Sequence, residues 1–153
     1  MSIATRLLIV TALVVAAGLI GAVWLILRGR VKRSGEPEHF DLASLGLGEA
    51  LAGGLGESAT LVLFSTEFCA ICPGVNRAFV DLLASRPWAK IIKVDLTHRN
   101  DLAIRFHILQ TPTTFVLDSR SAVMARIGGA PKLLAVASLL DELAAGASNA
   151  YSI

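Results

Sequence analysis

The sequence predicts an α/β fold: a three-layer sandwich with a mixed central sheet and helices on both faces, carried on one N-terminal transmembrane helix. Three observations predict it. Residues 7–27 form an unbroken apolar run; from residue 44 onward, strand-length apolar segments alternate with helix-periodic ones; and two late β-rich segments flank a four-residue turn. Alternation of strand and helix implies parallel strands joined by right-handed crossovers, and the late pair adds an antiparallel hairpin.

The run from Leu7 to Leu27, LLIVTALVVAAGLIGAVWLIL, is 21 residues without a charge. At about 1.5 Å rise per residue it measures roughly 31 Å, close to the hydrocarbon thickness of a bilayer. Trp24 near its end suits the interface. A cleaved signal peptide would have an apolar region of about 7–15 residues followed by a small-residue cleavage site. Here the run is longer and leads into Arg28-Gly29-Arg30-Val31-Lys32-Arg33, so an uncleaved anchor is expected. The chain then divides into a tail (1–6), the transmembrane helix (7–27), a basic juxtamembrane linker (28–40), one domain (41–146) and a second tail (147–153).

Within the domain, residues 44–55 are expected to form a short helix. Thr60–Phe64 is a continuous apolar run of strand length, as in a strand buried on both faces. Cys69–Leu83 has helical spacing, with Val75, Ala78, Phe79, Leu82 and Leu83 as its apolar side. Ile91–Asp95 is a second buried strand. Asn100 or Asp101 is placed to cap a short helix through Phe106. Thr113–Leu117 and Val123–Ile127 flank the turn residues 118–121. Pro131 suits the first turn of a final helix, with Leu133, Leu134, Ala137, Leu140 and Leu143 as its apolar side and Gly146 as its stop.

Charge bounds the partners. Residues 34–153 carry 9 Lys+Arg against 12 Asp+Glu, so the domain lacks the basic excess that phosphate binding requires, and no nucleic-acid partner is expected. Arg28, Arg30, Lys32 and Arg33 crowd the C-terminal edge of the span, against Arg6 alone before it. Residues 7–33 are therefore expected to contact membrane lipid, with the basic cluster on anionic head groups. By the positive-inside rule the chain is a single-pass protein of the cell membrane with its domain in the cytoplasm; an extracytoplasmic domain is the alternative.

The only two cysteines are Cys69 and Cys72, in Cys69-Ala70-Ile71-Cys72, behind an apolar strand and at the start of a helical pattern. A thiol there faces unpaired N–H groups and the positive end of the helix dipole, which stabilises its thiolate. A second thiol one turn on can displace whatever the first has attacked. Half of a zinc site is disfavoured, because no other cysteine exists and His98 and His107 are nine apart; no metal is expected. A static disulfide closing so small a loop stabilises little. Thiol–disulfide exchange fits best, and it needs no cofactor. Glu67 is expected to be solvated, though it is near enough to oppose the thiolate by like-charge repulsion. His39, His98 and His107 have no evident partners, Trp88 is expected against the sheet edge, and Phe115 in the core.

Four features together resemble the thioredoxin superfamily over roughly residues 45–145. They are the strand Leu61-Val62-Leu63-Phe64 leading into Ser65-Thr66-Glu67-Phe68-Cys69, the Cys-x-x-Cys opening a helix, Thr111-Pro112-Thr113 before the next strand, and Gly128-Gly129 closing the hairpin. The resemblance implies that Pro112 is cis and lies beside the cysteines, that Cys69 is the nucleophile and Cys72 the resolving thiol, and that Thr111 and Pro112 meet the substrate, with Phe68 either a substrate platform beside them or part of the core. Three positions depart from it. Phe68 stands where the family commonly has tryptophan, Leu63 where cytoplasmic thioredoxins have a buried aspartate, and Ala70-Ile71 where they have Gly-Pro. The spacing from Pro112 to Gly128 fits a thioredoxin-like hairpin better than the shorter glutaredoxin one.

The expected function is that of a membrane-tethered oxidoreductase whose partners are protein disulfides or dithiols and an electron donor of unknown kind, a reductase or a membrane thiol carrier. The alternatives are a non-catalytic docking subunit of a membrane complex, or a thiol protein for disulfide formation or cytochrome maturation if the domain lies outside.

Overall fold

The computed structural model describes residues 2–27, 31–39 and 54–150. The helix expected at 44–55 falls almost wholly outside these residues. Helix α1, Ile3–Leu27, carries Arg6 as its one charge, and its stretch Ile3–Val23 is long and apolar enough to cross a membrane, with none of it buried. Apolar side chains such as Leu8 and Ile20 are both 72% exposed there.

The other elements are β1 (Val31–His39), β2 (Ala59–Ser65), α2 (Cys72–Leu83), β3 (Ala89–Asp95), α3 (Asn100–Arg105), β4 (Thr113–Asp118), β5 (Ala122–Gly128) and α4 (Leu133–Ala150). Among the described residues five strands form one mixed sheet in the order β1-β5-β4-β2-β3. β2 and β3 pair in parallel, as the intervening α2 crossover requires, whereas β4 is antiparallel to β2 and to β5. β2 lies inside the sheet and is buried along its whole length.

Side chains alternate between the two faces of the sheet, and each face builds its own core. On one face Val62, Phe64, Val94, Phe115 and Leu117 pack with Leu102 and Phe106 from α3 and its end. Phe64 and Phe115 meet edge-on with ring centroids 5.0 Å apart, and Phe106 closes the cluster at 5.9 Å from Phe64. On the other face Leu61, Leu63, Val116 and Ile127 pack against Val75 and Phe79 of α2 and Val136, Leu139 and Leu140 of α4. Helices thus cover both faces, which is the expected sandwich. A paired Arg86–Asp141 contact, two bonds of 2.9 Å each, ties the end of α2 to α4.

Several expectations are corrected. Residues 31–39, expected within a linker, form an edge strand antiparallel to β5, with a break in register between Arg33 and Glu38. Gly35 and Pro37 lie in that break, where an edge strand tolerates them. β3 is the opposite edge and not a fully buried strand: Ala89, Ile92 and Val94 point inward while Lys90, Lys93 and Asp95 are exposed. Trp88, next to the start of this edge strand, is partly buried against the core on the α2–α4 face, in keeping with its expected place at the sheet edge. The inward face of α4 is Val136, Leu139, Leu140 and Leu143, whereas Leu134 is 89% exposed, and the helix continues through Gly146 to Ala150.

Candidate active site

β2 runs buried to Ser65 and then releases the chain into the turn that holds the cysteines. Two hydrogen bonds shape this turn: the Cys69 N–H donates to the Thr66 carbonyl at 3.2 Å, and the Cys72 N–H donates to the Cys69 carbonyl at 3.2 Å. Regular helix begins only at Cys72, with Ile71 as N-cap and Pro73 in the first turn. Cys69 therefore sits in the turn just before the helix, not on its first residue as expected. Pro73 lacks an N–H, which costs nothing in a first turn because that group would have no partner inside the helix.

The two sulfurs form a disulfide with S–S 2.00 Å and Cα–Cα 5.4 Å. They differ in exposure. Cys72 is 3% exposed and begins the buried stripe Cys72, Val75, Phe79 at helical spacing, whereas Cys69 is only half-buried. Cys72 is thus held among packed side chains, and Cys69 is the more accessible residue of the two.

A second loop stands beside the first. Thr113 is paired with Phe64 across β4 and β2, so Pro112 lies next to the segment leading from Ser65 to Cys69. The Thr111–Pro112 peptide is cis, as the resemblance implied. Thr66 and Thr111 bring their hydroxyls to 3.4 Å, linking the two loops through side chains. The Pro112 carbonyl accepts the Gly129 N–H at 2.8 Å, and Thr113 Oγ1 donates to the Gln110 carbonyl at 2.7 Å. Gly129 has φ +80°, a conformation that favours glycine, and a Cβ on Gly128 would collide with Gln110 Nε2. The positive φ of Gly129 thus lets β5 end against the Pro112 loop, while a side chain at 128 would require only the exposed Gln110 side chain to move.

A third support comes from the loop after β3, which sequence reasoning missed. The Leu96 N–H donates to the Ser65 carbonyl at 2.8 Å, and the Glu67 N–H donates to Thr97 Oγ1 at 3.0 Å. Thr97 Oγ1 in turn donates to Asp95 Oδ1 at 2.5 Å, while the Thr97 N–H donates to the same oxygen at 2.8 Å. These bonds, the hydroxyl's first, hold the Asp95 carboxyl below the ordinary aspartate range. The Asp-x-Thr spacing is a turn signature legible in the sequence, but nothing in the sequence places it under Glu67.

Of the expected substrate-contacting residues, Phe68 is 84% exposed and excluded from the core, Thr111 is half-buried and Pro112 is buried. Ile71, 52% exposed, and Leu109, 95% exposed, are further apolar side chains on the cysteine turn and the proline loop, and they were not singled out in the sequence. Leu63 is fully buried on the α2 face, packed in the cluster with Val75 and Phe79, at the position where the resemblance has a carboxylate. Its cross-strand partner, Thr114, carries a fully buried hydroxyl with no hydrogen-bond partner. Glu67, His98 and His107 are exposed, and among the described residues no three His, Cys, Asp or Glu side chains converge on a metal-sized site.

No protein-family model matches the sequence, and no curated protein matches it. Solved structures do match. Thioredoxin f2 of Chlamydomonas reinhardtii has a TM-score of 0.52 at 20% identity, covering 70% of this chain and 95% of that one. The thioredoxin of Trypanosoma brucei brucei has a TM-score of 0.52 at 19% identity, covering 70% and 91%. Thioredoxin O2 of Arabidopsis thaliana has a TM-score of 0.51 at 18% identity, covering 64% and 86%. Similarity at this level establishes the thioredoxin fold.

Proposed function

We propose that this thioredoxin-fold chain is a membrane-tethered thiol–disulfide oxidoreductase acting on protein disulfides. The observation that carries the reading is the asymmetric pair: a half-exposed Cys69 bonded to a buried Cys72, on a turn hydrogen-bonded to the Thr111-Pro112 loop. From the dithiol state, the Cys69 thiolate attacks one sulfur of a substrate disulfide. A bond forms between Cys69 and that sulfur, and the other substrate sulfur leaves as thiolate and takes up a proton. The Cys72 thiolate then attacks Cys69 Sγ, releasing the second substrate thiol and leaving the Cys69–Cys72 disulfide. Two electrons pass to the substrate, and a dithiol donor, a reductase or a membrane thiol carrier, returns them.

Backbone groups of Thr111 and Pro112 lie beside the turn and would receive an extended substrate segment, with Phe68 flanking it. The tether is α1, whose unburied apolar surface has no role in water; residues 7–33 would contact lipid. Arg28, Arg30, Lys32 and Arg33 after the span support a cytoplasmic domain, in a compartment where thiols are kept reduced and net flow is toward substrate reduction. On the other side of the membrane the same centre would serve disulfide formation or cytochrome maturation.

A second reading is favoured by one observation. Leu63, fully buried, stands where the resemblance has the aspartate that would move the Cys72 proton, as a docking subunit with an idle disulfide would tolerate. Turnover separates the two. Insulin reduction with dithiothreitol by the full chain in detergent is expected to exceed that of Cys69→Ser severalfold, and equal rates would favour docking. Protease treatment of intact cells tests sidedness: residues 34–153 are expected to survive without lysis, and their loss would move the site outside.

A further inference from the structure

We propose that the cysteine end of the domain faces the membrane surface, and that its substrates are disulfides presented there by membrane-bound proteins. The proposal deepens the tethered-oxidoreductase reading and rests on it. It comes from strand register. Val31, the first residue of β1, stands opposite Ile127; Ile127 stands opposite Thr114; and Thr114 stands opposite Leu63. The adjoining row contains Gly128, Thr113 and Phe64, from which the chain passes directly to Pro112 on one strand and to Ser65 and the cysteine turn on another. The chain therefore joins the sheet at its catalytic end, not at the opposite end with the β4–β5 turn.

Chain lengths limit the approach to this end. From Leu27, the last residue of α1, to Val31 is four Cα steps, at most about 14 Å of chain. Strands lie about 4.8 Å apart, so Thr114 is about 10 Å across the sheet from Val31 and Leu63 about 14 Å. From that row to Ser119, in the far turn, is about 17 Å along β4. The connection from Leu27 to Val31 is thus shorter than the sheet is long, and it is attached at the site's end. A soluble partner of about 100 residues has a radius of gyration near 13 Å and a diameter above roughly 30 Å, too large for a gap of this size. A disulfide carried by a protein already in the membrane reaches the site laterally. The exposed apolar side chains of Phe68, Ile71 and Leu109 lie at this same end, and such a partner would cover them.

The test reads position, not turnover. The full chain with Cys69→Ser and Cys72→Ser, and a single spin label at Phe68→Cys or Ser119→Cys, is reconstituted in phosphatidylcholine–phosphatidylglycerol vesicles containing a nickel-chelating lipid. Relaxation by nickel is expected to be several-fold stronger at 68 than at 119. A flexible Gly/Ser insertion of about 20 residues after Arg30, with a root-mean-square reach near 25 Å, is expected to remove most of that difference. Equal relaxation at both positions, or a stronger effect at 119, overturns the facing. A difference that survives the insertion overturns the tether as its cause. A chain that does not float with the vesicles overturns the membrane anchor itself, and insulin turnover, measured separately, reports on the oxidoreductase reading independently of all three.

Discussion

Replacing Thr97 by valine keeps the side chain's shape and removes one oxygen that serves two partners. Thr97 Oγ1 accepts the Glu67 N–H at 3.0 Å and donates to Asp95 Oδ1 at 2.5 Å. A neutral hydrogen bond contributes about 1 kcal/mol and one to a charged group about 1.5–3 kcal/mol. Glu67 and Asp95 are exposed, so water replaces part of both, and the expected loss for Thr97→Val is about 1–2 kcal/mol. The effect should depend on pH. Asp95 titrates below its ordinary 3.8 in the folded chain, chiefly through the Thr97 hydroxyl and next through the Thr97 N–H. A depressed carboxylate contributes stability above its unfolded pKa and loses it as pH falls through the folded one. The variant retains the N–H bond, so its Asp95 pKa rises only part of the way back. The gap between wild type and variant is therefore expected in full at neutral pH and to narrow below about pH 4, leaving the Glu67 share. Urea denaturation of the full chain in detergent near neutrality and near pH 3, with the Asp95 carboxyl followed by NMR, measures both. A gap of the same size at both pH values, or an unmoved Asp95, would refute the chain of support from Asp95 to the cysteine turn.

Two further outcomes are expected from burial at the site. In the reduced protein, alkylation near neutral pH is expected to modify Cys69 well before Cys72, because Cys72 is 3% exposed at the head of the α2 core stripe; mass mapping that finds Cys72 first would reverse the assignment of roles. Thr114→Val removes a fully buried, unpartnered hydroxyl, so the oxidised chain is expected to be unchanged or up to about 1 kcal/mol more stable. A loss of similar size in chemical denaturation would mean that the hydroxyl has a partner.

The parts of the fold written in apolar runs were legible. Thr60–Phe64 reads as a buried strand because every side chain is apolar or β-branched, and it is buried throughout. The hairpin of β4 and β5 was legible from the turn residues 118–121 between two β-rich runs. Periodicity does not say which strand is an edge, so β3 looked buried until its partners were known. β1 was hidden because its charges, Gly35 and Pro37 give it the composition of a linker, and an edge strand with a register break accepts all of them. Gly146 failed as a stop because an isolated glycine inside a helix costs only about 1 kcal/mol.

At the site, the cysteine pair and the cis Thr111–Pro112 bond were reached from motif and resemblance. The Asp95–Thr97–Glu67 support was not, because it joins loops 30 residues apart through a single hydroxyl. Ile71 and Leu109 were missed for a related reason: an apolar residue in sequence reads as core, and only the fold reveals that both are exposed.

The central claim is that Cys69 attacks and Cys72 resolves, and covalent capture tests it most directly. Cys72→Ser, expressed as the full chain in its own membrane, is expected to accumulate mixed disulfides with client proteins on non-reducing gels. These should vanish on reduction and be absent from Cys69→Ser. Without its resolving thiol the first covalent step cannot be reversed from within the protein. Equal capture by both variants, or capture by neither, would contradict the account.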